Sequence, residues 1–267
     1  MRKNSYLAAL LWLLDAVAGA RLGLHKAAEQ GQVAPLTVAI DGRWDEYEER
    51  RIKPDIDGRN KKGQVALVLA VCNQREDVEP VRVLLDKGAD ANALDGKAQT
   101  ALHALAGGCD GKSEYARKWK KHTAGCAKLL LKHGANPNAV GADGATALHV
   151  AAAQGHNLRL LELLLARGAD ANALDGAGAT PLHHAVRKRN QREVLALLQA
   201  GADASVADGS GRRALDELMG KDSTTARIRT DLERAAEIRK EALEAKAAKR
   251  RAKANDAAVD SSAKGEL

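Results

Sequence analysis

The sequence predicts an all-α repeat solenoid of stacked helix-turn-helix units. Three observations carry this prediction. The chain is self-similar, with GADANALDG occurring identically at 88–96 and 168–176. The exit glycines Gly88, Gly134, Gly168 and Gly201 stand 46, 34 and 33 residues apart, a spacing close to that of small stacked units. There is no Phe and aromatics are 2%, yet apolar residues reach 45%. The core must therefore be Ala, Leu and Val, which suits thin, closely stacked helices that bury their faces against neighbours.

The unit from Asp143 to Asp175 shows how each element is specified. Thr146, and Thr180 one unit later, can cap a helix by accepting from free backbone N–H groups. Pro181 sits just inside its helix, where a missing N–H costs nothing. Leu148, Ala151 and Ala152 give the first helix one apolar face, and Gly155 breaks it. Leu160, Leu161, Leu163, Leu164 and Leu165 form the second helix. Gly168 stops that helix where a left-handed residue is needed. Asp175 and Gly176 belong to the turn at the finger tip.

The entry motif appears as TALH at 100–103, TALH at 146–149 and TPLH at 180–183. The exit appears as DKGADAN at 86–92, KHGANPN at 132–138, ARGADAN at 166–172 and QAGADAS at 199–205. Entry and exit together resemble ankyrin repeats, whose unit is a finger-like β-turn followed by two antiparallel helices. The resemblance covers roughly 22–219, as about five units plus a partial C-terminal cap. LHKAAEQGQ at 24–32 resembles a first-helix core, with its second helix near 33–40. An irregular stretch with Trp44 and Tyr47 follows. The unit at 64–88 is degenerate, without Thr or His at its entry. The wide glycine spacing marks an insertion of about a dozen residues, near 107–123, between the two helices of one unit. GRRALDELM at 211–219 reads as a truncated entry with the polar exterior of a terminal repeat. A charged helix is expected over 225–254, with Ile228, Leu232 and Ala235 able to lie on the last repeat. Residues 255–267 are small and polar, and read as a disordered tail.

The net charge of +7 is uneven. Residues 107–126 carry five Lys/Arg against two acids, and 246–253 carry five against none. A basic surplus fits a solvated face and a solubilising tail, or an acidic protein, nucleic acid or anionic lipid. At the N-terminus, Arg2 and Lys3 precede an apolar run from Tyr6 to Leu14 and an Ala18-Gly19-Ala20 exit. That order is that of a secretory signal peptide, and predicts a periplasmic or secreted protein. The alternative is a cytoplasmic chain whose Leu7, Leu10, Leu11 and Leu14 dock on the first repeat. No apolar run is long enough to span a membrane.

No catalytic motif and no metal-binding spacing is present, so the sequence points to a non-enzymatic binding module without a cofactor. His103, His149 and His183 are the family's entry histidines, for which the resemblance implies a structural hydrogen bond. His25 and His184 have no partner pattern. Cys109 and Cys126 flank the insertion, and are read either as a disulfide pinning it or as two thiols, while Cys72 is read as a small core residue. Tyr115 and Trp119, four apart among Arg117, Lys118, Lys120 and Lys121, are either a partner site or packing for the insertion.

The resemblance implies binding through finger tips and the exposed side of the first helix. Residue by residue, that gives Arg59, Lys61, Lys62 and Gln64, then Leu94, Lys97 and Gln99, then Val140, Asp143 and Gln154, and finally Leu174, Arg187 and Lys188. Polar and cationic residues lie toward the ends, with Leu94, Val140 and Leu174 between them. This surface implies one protein partner with an acidic rim and an apolar centre, bound by a monomer. Composition and leader look bacterial, and a cognate toxin or enzyme is the kind of partner that likeness suggests. The alternative is a basic-tail binder of nucleic acid or of an anionic surface.

Overall fold

The computed structural model describes residues 24–31, 33, 37, 43–45, 50–52, 55–72, 77–108, 116–155, 157–218, 223–238 and 241. The chain forms α1 (Leu24–Glu29), β1 (Arg43–Asp45), β2 (Arg50–Ile52), α2 (Ala66–Val71), α3 (Glu79–Asp86), α4 (Ala101–Gly107) and α5 (Ala116–Lys132). It continues with α6 (Ala147–Gln154), α7 (Leu158–Ala166), α8 (Pro181–Arg187), α9 (Gln191–Gln199) and a 3-10 turn (Ala214–Glu217). Residues 223–238 form a further helix, α10. The stretch read as irregular holds a short antiparallel pair, with Trp44 opposite Arg51. Residues 1–20, the proposed signal peptide, lie outside the described residues, as do Tyr47 and the C-terminal tail. No helix among the described residues is long and apolar enough to cross a membrane.

Two helical layers result. The inner helices α1, α2, α4, α6 and α8 pack in series and end on the 3-10 turn. The outer helices α3, α5, α7 and α9 pack in series behind them, and each hairpin closes on itself. The core is thin and aliphatic. All six residues of α2 are buried, and Leu102, Leu105, Leu130, Leu148, Leu160, Leu161, Leu164, Leu182 and Leu197 are fully buried. Alanines let the layers approach closely, so each helix buries its stripe against the next unit. At Gly155, which ends α6 at φ +65, a Cβ would run into the Asn190 amide of the following unit. That amide instead donates to the Ala152 and Ala153 carbonyls.

Hydrogen bonds between units set their spacing. In the complete entries, the histidine Nδ1 faces the threonine backbone N–H and hydroxyl, as between Thr146 and His149 at 3.1 and 2.9 Å. The histidine Nε2 meets a carbonyl of the next unit: His103 to Ala145, His149 to Ala179, and His183 to Arg212. A carbonyl can only accept, so Nε2 carries the proton and Nδ1 accepts from Thr. Asparagines at the finger bases form a second series. The Asn92, Asn138 and Asn172 amides donate to the carbonyls of Gly134, Gly168 and Gly201, and accept from Asn136, Asp170 and Asp203. Asp57 fills the equivalent place one unit earlier and accepts from the Asp90 N–H. Burial and the neighbouring Asp90 and Asp55 outweigh that hydrogen bond and raise its carboxyl above the usual value.

Helix α5 has 17 residues, where the other outer helices have 8 or 9. Its additional turns lie at its N-terminal end and reach the preceding unit. His122 and Thr123 are buried there, and His122 Nε2 donates to the Val71 carbonyl at 2.9 Å. At the C-terminal end the entry pattern is rebuilt with different chemistry. Arg213 takes the place of Thr, and Asp216 the place of His, accepting from the Arg213 backbone and guanidinium. Ile228 and Leu232 of α10 are buried in the core cluster, and Thr225 is buried beside them.

Among the described residues, two stand in the left-handed region without being glycine, Ala98 at φ 53 and Arg189 at φ 59. Ala98 occupies the finger-tip position held by Gly63, Gly144, Gly178 and Gly211 in the other fingers, all of them at positive φ. Its strain is about 1–2 kcal/mol. Replacement by Gly relieves that strain but adds freedom to the unfolded chain, worth roughly 0.5–1 kcal/mol. Ala98→Gly is therefore expected to stabilise the fold by about 0.5–1 kcal/mol, read as a higher urea midpoint; an unchanged or lower midpoint would refute the strain.

Burial lowers the pKa of His103 and His149 below 6.5, against the raising effect of their carbonyl partners. The unfolded chain then binds protons that the folded chain refuses. Stability from these two groups is complete above pH 6.5 and is lost as pH falls through their lower folded values. Between pH 7.5 and pH 5 the thermal midpoint should fall, and a flat or rising midpoint would contradict it. Asp57, whose pKa is raised by burial and by the neighbouring carboxylates, contributes with the opposite sign.

Candidate protein-binding face

In four of the described fingers the first residue of a tight turn accepts from two backbone N–H groups across it, while in the finger after Val140 that residue is Gly141 and the turn is closed by its backbone bonds to Ala145 and Gly144. Asp95 Oδ1 takes those of Lys97 and Gln99, and Asp175 Oδ1 takes those of Ala177 and Ala179. Asp208 and Asn60 do the same in their fingers. Neighbouring tips are joined through backbone, as Gly96 N–H to Gly63 O, Gly176 N–H to Asp143 O and Gly209 N–H to Ala177 O. The residue just before each of these turns is thus held in register from finger to finger. Those residues are Arg59, Leu94, Val140, Leu174 and Ala207.

Leu94, Val140 and Leu174 are exposed by 40%, 57% and 56%, unlike the aliphatic side chains of the core. Arg59 is also exposed, but its guanidinium donates twice to the Leu94 carbonyl, at 3.2 and 2.9 Å. It ties one finger to the next. Lys61, Lys62 and Lys97 are exposed on their finger turns, while Gln64 is half-buried, its amide oxygen accepting from Asn60. Gln99, Asp143 and Gln154 are exposed. Lys188 is exposed. Arg187 is not available in the same way, because its guanidinium makes a two-point pair with Glu217 of the terminal 3-10 turn. The carboxylate is 4% exposed, so Arg187 binds the C-terminal cap to the last full unit.

A cavity of about 300 Å3 opens between these fingers and the inner helices. Val68, Leu69 and Cys72 of the second unit, Ala104 and Gly107 of α4 and Val150 of α6 line it from the helices. Gln64, Lys97 and Gln99 line it from the fingers, with Glu29 at the end nearest α1. The buried polar groups at its edge are occupied: Asp95 by its finger, His103 by Thr100 and the Ala145 carbonyl. The sequence reading assigned Gln64, Lys97 and Gln99 to the face but missed the helical lining. Aligning the inner helices would have revealed it, since Leu69, Ala104, Val150 and His184 share one position.

Farther along, His184 Nε2 meets Asp175 Oδ2 at 2.7 Å, so His184 does have a partner. Its ring also stands edge-on to that of His149, 5.6 Å away between centroids. Burial works against the Asp175 charge, but hydrogen bonds from His184 and the Ala179 and Ala177 amides prevail, and hold its carboxyl below the usual range. The histidines therefore serve hydrogen bonding within the stack. No group of three or more ligand-type side chains that could hold a metal occurs among the described residues.

Of the two readings of Cys109 and Cys126, the bridge between them is excluded, because Cys126 is a free thiol, fully buried in α5. It faces His122, with Sγ 3.5 Å from Nε2, and burial pushes its pKa to about 12. Cys72, read as a simple core residue, is disulfide-bonded instead. Spacing around the insertion could not show this, because the decisive quantity is proximity between units. Cys109 and Tyr115 lie outside the described residues, and of Trp119 only the helical backbone is described.

Residues 113–208 match the family profile described as ankyrin repeats (3 copies), and residues 62–96 match that of a single ankyrin repeat. No curated protein matches the chain. Ankyrin repeats generally mediate protein–protein interaction and are typically non-enzymatic. Matching profiles, stacked helical hairpins, finger turns and Thr–His entries agree: the chain belongs to the ankyrin repeat family.

Proposed function

We propose that this chain recognises one protein partner through the face formed by its fingers and inner helices. The observation that carries this reading is the row of Leu94, Val140 and Leu174, apolar residues held outward at equivalent finger positions beside a cavity. Burying such residues against a partner removes apolar area from water, at roughly 25 cal/mol per Å2. A rigid stack loses little conformational freedom on binding, so more of that gain appears as affinity. The positive edge of the face rests on Lys61, Lys62, Lys97 and Lys188, since Arg59 and Arg187 are engaged within the stack. An acidic rim on the partner remains the matching chemistry, and a cognate toxin or enzyme is one such partner.

The experiment is affinity capture with three forms of the chain: intact, truncated before residue 246, and carrying Leu94→Asp, Val140→Asp and Leu174→Asp together. The partner should be retained by the truncated form and lost by the triple variant, with circular dichroism confirming that the variant is folded. Loss on truncation, with binding that collapses as salt rises, would favour the basic tail acting on nucleic acid or an anionic surface.

The disulfide at Cys72 favours an oxidising compartment, and so supports the leader as an export signal. With Cys126 free, Cys109 is the one cysteine of three left to pair with Cys72. A non-reducing peptide map should yield a Cys72–Cys109 crosslinked pair and an alkylated Cys126 peptide from the denatured protein. Three alkylated cysteines in protein purified under oxidising conditions would overturn this assignment.

A further inference from the structure

The cavity has a local cause. Two inner-helix positions recur along the face in the units of α2, α4, α6 and α8. The first is filled by Leu69, Ala104, Val150 and His184, and the second by Cys72, Gly107, Ala153 and Arg187. The unit of α4 combines the smallest residue at both, Ala104 and Gly107. Toward the C-terminal end, the same positions are closed by the His184–Asp175 and Arg187–Glu217 pairs. The opening is therefore confined to the middle of the array, where Val68, Leu69, Ala104 and Val150 form an aliphatic part of its lining and the buried Asp95 and His103 are already satisfied.

We propose that this cavity receives one large apolar side chain from an exposed segment of the partner, next to a partner carboxylate that meets Lys97. This inference rests on the protein-binding reading of the same face and names what the face selects. At about 300 Å3 the space lies at the lower end of the range for ligand pockets, enough for a side chain rather than a whole domain edge. On the helix side Val68, Leu69, Ala104 and Val150 offer such a side chain dispersion contacts and no hydrogen bond, while Glu29, Gln64, Lys97 and Gln99 give the rest of the cavity a polar lining that meets the polar neighbours of the inserted residue. Lys97 is exposed at the rim and, among the described residues, has no ion pair. Glu29 lines the opposite end. A carboxylate beside the apolar residue is thus attracted to the finger side and repelled from the α1 side, which fixes the direction in which the segment lies.

The test selects random linear peptides displayed on phage against the intact full-length chain. The enriched peptides should share a Leu, Ile, Met or Phe with an Asp or Glu within two residues. Ala104→Leu fills the cavity and should weaken those peptides by about tenfold or more. Lys97→Glu, at an exposed position, should fold normally and shift the enriched neighbour from acidic to basic. Peptides without an apolar anchor, peptides indifferent to Ala104→Leu, or no enrichment at all would each overturn the proposal. So would an apolar small molecule that binds in the cavity while no peptide does. If the captured partner is lost by the Leu94, Val140 and Leu174 triple variant yet binds Ala104→Leu unchanged, the cavity proposal fails and the protein-binding face stands.

Discussion

The fold depends on bonds that cross from one unit to the next. A single helical hairpin this small cannot bury its apolar stripe, so each unit is stable only beside another. The entry histidine and the finger-base asparagine make that contact directional. His149 closes its own helix start through Thr146 and reaches the Ala179 carbonyl of the following unit. Asn138 gives to one backbone group and takes from another in the next exit turn. Neither can be satisfied if the neighbour is shifted or rotated, and buried donors without partners are costly, about 1–3 kcal/mol each. The layer of small alanines can therefore pack at close range without sliding.

Where these bonds change, the stack acquires its individual character. Asp57 replaces the asparagine and can accept but not donate. Arg213 and Asp216 replace the Thr–His entry, and are joined by Arg187–Glu217, so the last inner position is held by ion pairs. Such pairs tolerate water better than a buried imidazole, which suits a unit with fewer neighbours. On the other side, α5 adds turns that carry His122 onto the Val71 carbonyl, while the next unit boundary is crossed by His103. The region around Cys72 is thereby held by a hydrogen bond from an outer helix as well as by a disulfide.

The binding face follows from the same frame. Four finger turns are fixed by carboxylates or an amide that cap their own backbone, and the Gly141 turn by backbone bonds alone, so the residues just before them project from fixed positions. Side chains there have no core to enter, and Leu94, Val140 and Leu174 remain exposed because the backbone is already committed. Rigid presentation of apolar residues favours binding over internal collapse. Arg59 and Arg187 show the reverse: long cations that look available for a partner are captured by a carbonyl and a carboxylate of the adjacent unit.

The periodicity, the Thr–His entries and the glycine exits determined, by themselves, the fold class, the two-helix unit and its finger positions. They succeeded because those features are local: capping, helix termination and apolar stripes act within a few residues. The degenerate unit at 64–88 was still recognisable, since its apolar spacing survives the loss of its entry motif. What only the tertiary structure decided are contacts between elements. Arg59 and Arg187 are engaged by residues of adjacent units, the Cys72 disulfide and the burial of Cys126 depend on what packs beside them, and within one unit the His184–Asp175 pair joins a finger to its inner helix. The cavity at Ala104 and Gly107 is of the same kind, because its lining comes from four units, and a small residue reads as empty space only once its neighbours are in place.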